Sequence, residues 1–277
     1  MIALKSTREI ETMRRGGKIT AQVLGDLMRA ARPGVTTRQL DRLAETGIRA
    51  LGGEPTFVGY HGYPGSICTS VNEQVVHGIP GDYALREGDL LSIDIGTTFE
   101  GYVSDSAVTV PIGSVSKEAA RLMRVTQECL MAGIAQMQPG KRLGDIGWAV
   151  QAHAEGHGYG VVRELVGHGV GTRMHEEPQV PNFGRAGSGS ELRPGLVLAV
   201  EPMITQGGHA VETLKDGWTV VTADGKLAAH FEHTIAVTQD GPKILTLRDI
   251  GEHPDTRLYR PAEESAPSAQ QQTGSKS

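Results

Sequence analysis

Apolar residues recur at helical spacing in two stretches of the chain and in short β-branched runs in two others, and the order repeats. Ser6 with Glu9 three positions on reads as a capping box. The stripe Ile10, Met13, Val23, Leu24, Leu27 and Met28 then predicts a first helix, stopped by Pro33-Gly34. Thr36 with Gln39 opens a second helix that carries Leu40, Leu43, Ile48 and Leu51 and ends at Gly52-Gly53. Ser116 starts a third, with Leu122, Met123, Cys129, Leu130, Ile134 and Met137. After Pro139-Gly140 a shorter fourth runs through Ile146 and Val150. From Thr56 to Val110 and from Val161 to Thr246, β-branched runs broken by Gly, Pro and Asn predict antiparallel strands. Helix, helix, strands thus occurs twice. The expected fold is α/β in the α+β sense, with one curved antiparallel sheet covered by helices.

The duplication can be followed residue by residue. Arg86, Gly88 and Asp94 in REGDLLSID return as Arg193, Gly195 and Glu201 in RPGLVLAVE, each 107 positions on. His61-Gly62 maps onto His168-Gly169 at the same offset, and Pro33-Gly34 onto Pro139-Gly140 one residue shorter. Asp105 in SDSAVTV parallels Glu232 in FEHTIAV at an offset of 127, because the second half carries an insertion. Two halves, about 1–112 and 113–250, are therefore expected to form a single catalytic domain with pseudo-twofold symmetry. Residues 251–277, rich in Pro, Ser, Gln and Ala, are expected to form a disordered tail.

That symmetry concentrates chemistry. Asp94, Asp105, His168, Glu201 and Glu232 each sit in a β-rich segment, and a site at the junction of the halves receives a pair of acids from each. A lone Asp in a hairpin is usually a turn former, and a lone buried His usually a core residue; the five together override both readings. Each close pair of ionised carboxylates repels by roughly 4 kcal/mol at about 4 Å and an effective dielectric near 20. Two divalent cations would cancel that cost and let a bridging water ionise near neutral pH. Oxygen-rich ligation with one imidazole suits Mn²⁺, Fe²⁺ or Co²⁺, with Zn²⁺ also open, because availability rather than the ligand list selects the ion.

Composition narrows the partners. A formal charge of −5 argues against a nucleic-acid function. No apolar run reaches the length of a membrane span, and no signal-like segment opens the chain, so no membrane role is expected. Cys68 and Cys129 give no disulfide framework and suit a reducing, cytoplasmic setting. Lys5, Arg8, Arg14, Arg15 and Lys18 read as a solvated face, with weak ribosome association kept as the second possibility. The absence of a dimerisation stripe predicts a monomer. His153-Ala154-Glu155 matches half of a zinc-deaminase pattern, but the Cys-x-x-Cys half is missing.

GYHGYPGSICTSVNEQVVHGIP, DIG followed by SDSAVTV, GHGVGTRMHEEP, VEPM and DGWTV leading to FEHTIAV together closely resemble the type I methionine aminopeptidases, enzymes of the pita-bread fold. The resemblance spans about residues 5 to 247. It implies that Asp94, Asp105, His168, Glu201 and Glu232 bind two divalent metals, with Asp105 and Glu232 bridging, Asp94 chelating one ion, and His168 and Glu201 serving the other. It implies removal of the N-terminal methionine of peptides and nascent chains, with Glu201 as proton shuttle, His175 at the developing oxyanion and His77 at the scissile nitrogen. It nominates Phe57, Tyr60, Tyr63, Cys68, Met174 and Trp218, together with His77 and His175, for the substrate pocket; Met174 stands where many relatives carry Phe. His61 is expected to be structural. The short connection PNFGRAGSGSELRPG, where type II members insert a helical subdomain, favours type I.

Three rival functions are weighed against that one. Xaa-Pro peptidases such as prolidase or aminopeptidase P share the fold but usually carry a large N-terminal domain, whereas this chain starts almost directly at the catalytic fold. Inactive pita-bread binding modules have lost ligands, and none is missing here. A two-metal phosphoesterase would need a basic cluster beside the motifs, which is absent. A preference for a small second residue is expected, because a bulky one would crowd the reacting carbonyl. The chain's own Ile2 then predicts retention of Met1, which intact-mass measurement checks.

Overall fold

Each half opens with the expected pair of helices, built as their caps dictate. The structure is a computed structural model, described for residues 2–248; the tail expected over 251–277 lies outside them. The helices are α1 (Thr7–Ala30), α2 (Thr37–Ala50), α3 (Lys117–Ala135) and α4 (Leu143–Gly156). At Ser6/Glu9 and Thr36/Gln39 each side chain meets the other residue's backbone N–H, the reciprocal arrangement that satisfies two otherwise orphaned donors. The stripe of α2 differs from expectation. Leu40, Ala44 and Ile48, spaced by four, are buried, whereas Leu43 and Leu51 are 40% and 37% exposed. They lie on the flank of a helix whose contact with its neighbours is only one residue row wide.

Duplication is visible in the backbone. Gly34 N–H donates to Leu85 O at 2.8 Å and Gly140 N–H to Leu192 O at 3.0 Å, and isolated bridges join Thr36 to Ala84 and Arg142 to Glu191. The N–H of Thr36 is capped by Gln39 and that of Arg142 by Asp145, both at 2.8 Å. These pairs stand 106 or 107 residues apart, the offsets of the sequence repeat.

The principal strands are β1 (Ile67–Val71), β2 (Leu90–Phe99), β3 (Tyr102–Pro111), β4 (Gly167–Gly169), β5 (Glu176–Val180), β6 (Val197–Val200), β7 (His233–Thr238) and β8 (Gly241–Ile244). In the first half β2 pairs with β1, β3 and the short strand Glu54–Pro55; in the second the order is β8-β7-β6-β4-β5. Two three-stranded ladders of short strands accompany them, and among the described residues all strand pairing is antiparallel. The expected sheet is thus divided into four hydrogen-bonded pieces. At the seam between β3 and the approach to β7, Glu232 N–H donates to Ala107 O at 2.9 Å. Elsewhere side-chain hydroxyls replace the ladder: Thr234 Oγ1 accepts from Asp105 N–H and donates to Asp105 O, and Thr109 Oγ1 donates to His230 O. Hydroxyls that capture backbone groups interrupt a ladder without leaving those groups unpaired.

One core cluster crosses this seam, joining Val23, Leu27, Leu40 and Ile48 of the first helix pair and Leu130, Ile134 and Ile146 of the second to Ile93, Val108, Leu198 and Ile235. Close approach of α1 depends on Gly17, where a Cβ would lie 2.3 Å from Leu245 O. Gly17→Ala is therefore expected to destabilise the fold by about 1–3 kcal/mol, the usual cost of overpacking, read as a lower urea midpoint at unchanged slope. An unchanged midpoint would show that the two segments separate at no cost.

Lys5 departs from the solvated face expected of it. It precedes the cap of α1, is 8% exposed, and its Nζ lies 2.6 Å from Glu176 Oε2. Arg14 and Arg15 do remain at the surface, paired with Glu11 and Glu100. Among the described residues no helix is long and apolar enough to cross a membrane.

Candidate metal centre and active site

Strand register brings the five nominated ligands together. On β2 and β3, Asp94 faces Ala107 and Gly96 faces Asp105, so the two acids are diagonal neighbours on one sheet face. In the second half His168 pairs with Ala199 and Ala199 with Thr234, while His233 pairs with Val200; the next step places Glu201 and Glu232 opposite each other, just beyond the ladder. The seam then lays the β3 pair against the β7 pair. His168 Nε2 lies 3.6 Å from Glu201 Oε1 and 3.9 Å from Asp105 Oδ2. Single ligand atoms of Asp105, His168 and Glu232 all fall within 4.8 Å of one another.

Electrostatically this cluster is poorly satisfied by protein alone. Asp105, His168 and Glu232 are 3%, 7% and 1% exposed. Burial is the largest influence on all four acids; it pushes Asp94 up to about 7 and Asp105, Glu201 and Glu232 well above the carboxylate range, with mutual repulsion adding for the last three. Asp94 Oδ1, Asp105 Oδ1 and Glu232 Oε1 have no hydrogen-bond partner, although buried carboxylate oxygens ordinarily do. Burial also holds the His168 imidazole down, to about 4, and its Nδ1 lies 2.9 Å from Gly169 O. Nδ1–H donates to that carbonyl, so the Nε2 lone pair faces the acids. A metal-ligating histidine is usually oriented in this way. Orphaned carboxylate oxygens, a pre-set imidazole and an oxygen-rich donor set fit divalent cations.

The cluster lies in the wall of a cavity of about 260 Å³ lined also by Phe57, Tyr60, His61, Tyr63, Cys68, Val76, His77, Leu165, Val166, Met174, His175, Met203 and Trp218. All eight residues nominated for the substrate pocket are therefore present. Gly96 makes room for the Phe57 ring: a Cβ there would sit 2.6 Å from it. Phe57 and Tyr63 pack edge to face at 6.4 Å, and Tyr63 and Trp218 at 5.0 Å. The Tyr63 hydroxyl is anchored on the carbonyls of Ile67 and Gly78. Cys68 and Cys129 are buried free thiols. His175 lies 4.3 Å from the His168 ring, and its Nδ1 is 2.6 Å from the Tyr60 hydroxyl. Burial lowers His175, and takes His77 down to about 4. His77 has φ 61°, an uncommon backbone conformation for a residue with a side chain. A side chain kept in a strained conformation often belongs to a functional site.

Residues 11–239 match the family model for metallopeptidase family M24. The chain belongs to metallopeptidase family M24. This M24 metallopeptidase is 51% identical over 247 residues to a methionine aminopeptidase of Clostridium perfringens, covering 89% of this chain and 99% of that one. It is similar to the solved methionine aminopeptidase of Thermotoga maritima, with a TM-score of 0.88 at 43% identity, covering 90% of this chain and all of that one. The prolidase of Pyrococcus horikoshii has a TM-score of 0.73 at 22% identity, and only 64% of its chain is covered; that likeness shows the fold alone. The pita-bread architecture expected from the motifs is thus the fold of this M24 member.

Some cavity residues carry no nomination from the sequence. His61, expected to be structural, is exposed in the cavity wall. Met203 lines the cavity, and His230, outside its lining, lies near Glu201; each stands two positions from a nominated acid, Glu201 and Glu232, and a period of two places them on the same face. His230 is buried, with Nε2 3.9 Å from Glu201 Oε2. Leu165 and Val166 reach the wall through a loop and carry no sequence signal.

Proposed function

We propose that this metallopeptidase removes the N-terminal methionine from peptides and nascent proteins, preferring a small second residue, as a single catalytic domain spanning residues 1–250 that acts in the cytoplasm as a monomer. The observation that carries this is the set of four carboxylates, two buried and two part-buried, and one imidazole in the wall of a largely apolar cavity. The names of the relatives agree with it. Two buried free thiols support a reducing compartment.

Asp94, Asp105, His168, Glu201 and Glu232 would together hold the divalent ions in the cavity wall. When bound, the ions offset the carboxylate charge, polarise a carbonyl as Lewis acids and supply a water that ionises at about pH 7. Glu201 takes the proton from the attacking water and delivers it to the departing amine. Asn182, whose Nδ2 donates to Glu201 O at 2.9 Å, holds that residue's backbone in place. His175, with Tyr60 donating to Nδ1, presents Nε2–H to the developing oxyanion; burial keeps the ring neutral, so it donates a hydrogen bond without giving up its proton. His77 contacts the nitrogen of the scissile bond. Tyr63, Phe57, Cys68, Met174 and Trp218 enclose the thioether and exclude water.

Chelator-stripped protein should release methionine from Met-Ala-Ser once Co²⁺, Mn²⁺, Fe²⁺ or Zn²⁺ is added back, and should leave Ala-Pro-Ala intact. Cleavage of Ala-Pro-Ala without methionine release would point instead to an Xaa-Pro peptidase. No cleavage of either peptide by folded protein would leave a binding module. Met-Ala peptides are expected to be cut far faster than Met-Leu peptides; equal kcat/KM for the two would remove the small-residue preference.

A further inference from the structure

A second group of metal-ligating side chains lies outside the cavity, on the outer surface of the α3–α4 pair, and shares no residue with it. Glu128 comes from α3, His153 from α4, and His157 is the C-cap residue of α4, four positions on, with its ring beside that of His153. One ligand atom from each lies within 4.8 Å of those of the other two. His153 Nε2 is 3.1 Å from Glu128 Oε2, and the two imidazole rings are 4.6 Å apart at 40°.

Hydrogen bonds hold the side chains of this group in place. Nδ1–H of His157 donates to the His153 carbonyl at 2.8 Å, which fixes the tautomer and leaves the Nε2 lone pair unprotonated. That hydrogen bond is of the kind that orients imidazole ligands in established metal sites. Arg124 pairs with Glu128 Oε1, at 2.5 Å, and Oε2 faces His153. All three residues are part-buried, open enough for an ion to enter and confined enough to restrict their rotamers.

We propose that Glu128, His153 and His157 form a surface site for a borderline divalent cation such as Zn²⁺, one that clamps α3 to α4. Two nitrogens and one oxygen make a three-ligand site completed by water. Tetrahedral Zn²⁺ with bonds of about 2.0–2.2 Å sets its ligand atoms roughly 3.4 Å apart. The present separations need to close by at most about 1.4 Å, within reach of side-chain rotation. Imidazole ligation selects against Mg²⁺, which prefers oxygen and retains its own waters. Ligation through His153 Nε2 uses the tautomer that carries the ring proton on Nδ1, and the Nε2–Glu128 hydrogen bond gives way to the ion.

The test is equilibrium dialysis of the whole chain against radiolabelled Zn²⁺ over a range of free concentrations, with excess Mg²⁺ present, comparing wild type with His153→Ala/His157→Ala. The expected result is one bound equivalent fewer per chain in the double variant, with unchanged methionine release in both. A Zn²⁺ count equal to wild type would overturn the site. Should the double substitution unfold α4, seen as lost helical circular dichroism, His157→Gln keeps a polar residue at the C-cap and the same count decides. The metal count also separates this proposal from the function assigned to the cavity: absence of peptidase activity would not alter the missing equivalent.

Discussion

Glu201→Gln is expected to lower kcat for methionine release by roughly 10²–10⁴-fold, the range that general acid–base catalysis contributes, with the protein still folded. The substitution keeps the shape of the side chain but removes both its charge and its ability to take a proton. Glu201 is also placed to hold an ion, so the measurement must be made over a metal titration. Recovery of full activity at saturating metal would reduce Glu201 to a ligand. A loss that persists when the bound-metal count matches wild type assigns it the proton. A second readout follows from the electrostatics. Glu201 repels Asp105 and Glu232, so the metal-free variant is expected to melt above metal-free wild type, an order of stability that loss of packing would not produce.

Removing the metal is expected to make the fold sensitive to alkaline pH in the reverse of the usual carboxylate sense. In the unfolded chain these acids titrate near 4. In the metal-free fold Asp94 is raised to about 7 and Asp105, Glu201 and Glu232 are raised well above their ordinary range, first by burial. Between those limits the folded state binds more protons than the unfolded state, so metal-free stability falls as pH rises from about 4 through 7 and beyond. For Asp94 alone the difference is on the order of 4 kcal/mol, about three units at 1.36 kcal/mol each. Bound cations remove the cause. The gap in Tm between metal-loaded and metal-free protein should therefore widen from about pH 5 to about pH 8, reaching on the order of 10 °C at roughly 2–4 °C per kcal/mol. Comparing the two forms cancels groups that titrate alike in both, Glu176 among them. A constant gap would mean that the cluster carries no excess protons.

Much of the site is legible in the amino-acid sequence because duplication writes it twice. Asp94 and Glu201 stand at equivalent places in the sequence repeat, as do Asp105 and Glu232, the first of each pair inside a strand and the second at a strand end. Helix boundaries are legible too, since caps such as Ser6/Glu9 and Thr36/Gln39 depend on residues within one turn. Burial is less so. Leu43 and Leu51 obey the helical period of α2 but lie beyond the width of its contact, and Lys5 has the chemistry of a surface residue yet is covered by the chain around Glu176.

By itself the sequence determined the two-fold helix, helix, strand order, the residue types that meet at its centre and the motifs shared with the M24 metallopeptidases. These are properties of local periodicity and of offsets along the chain. Only the tertiary structure decided that the strands divide at a seam where Thr109 and Thr234 intercept backbone groups, that His61, Leu165, Met203 and His230 come within reach of the cavity and its acids, and that Glu128 meets His153 and His157 across two helices. Each of those depends on pairing between residues 25 to 129 positions apart, whose geometry is set by packing of whole elements.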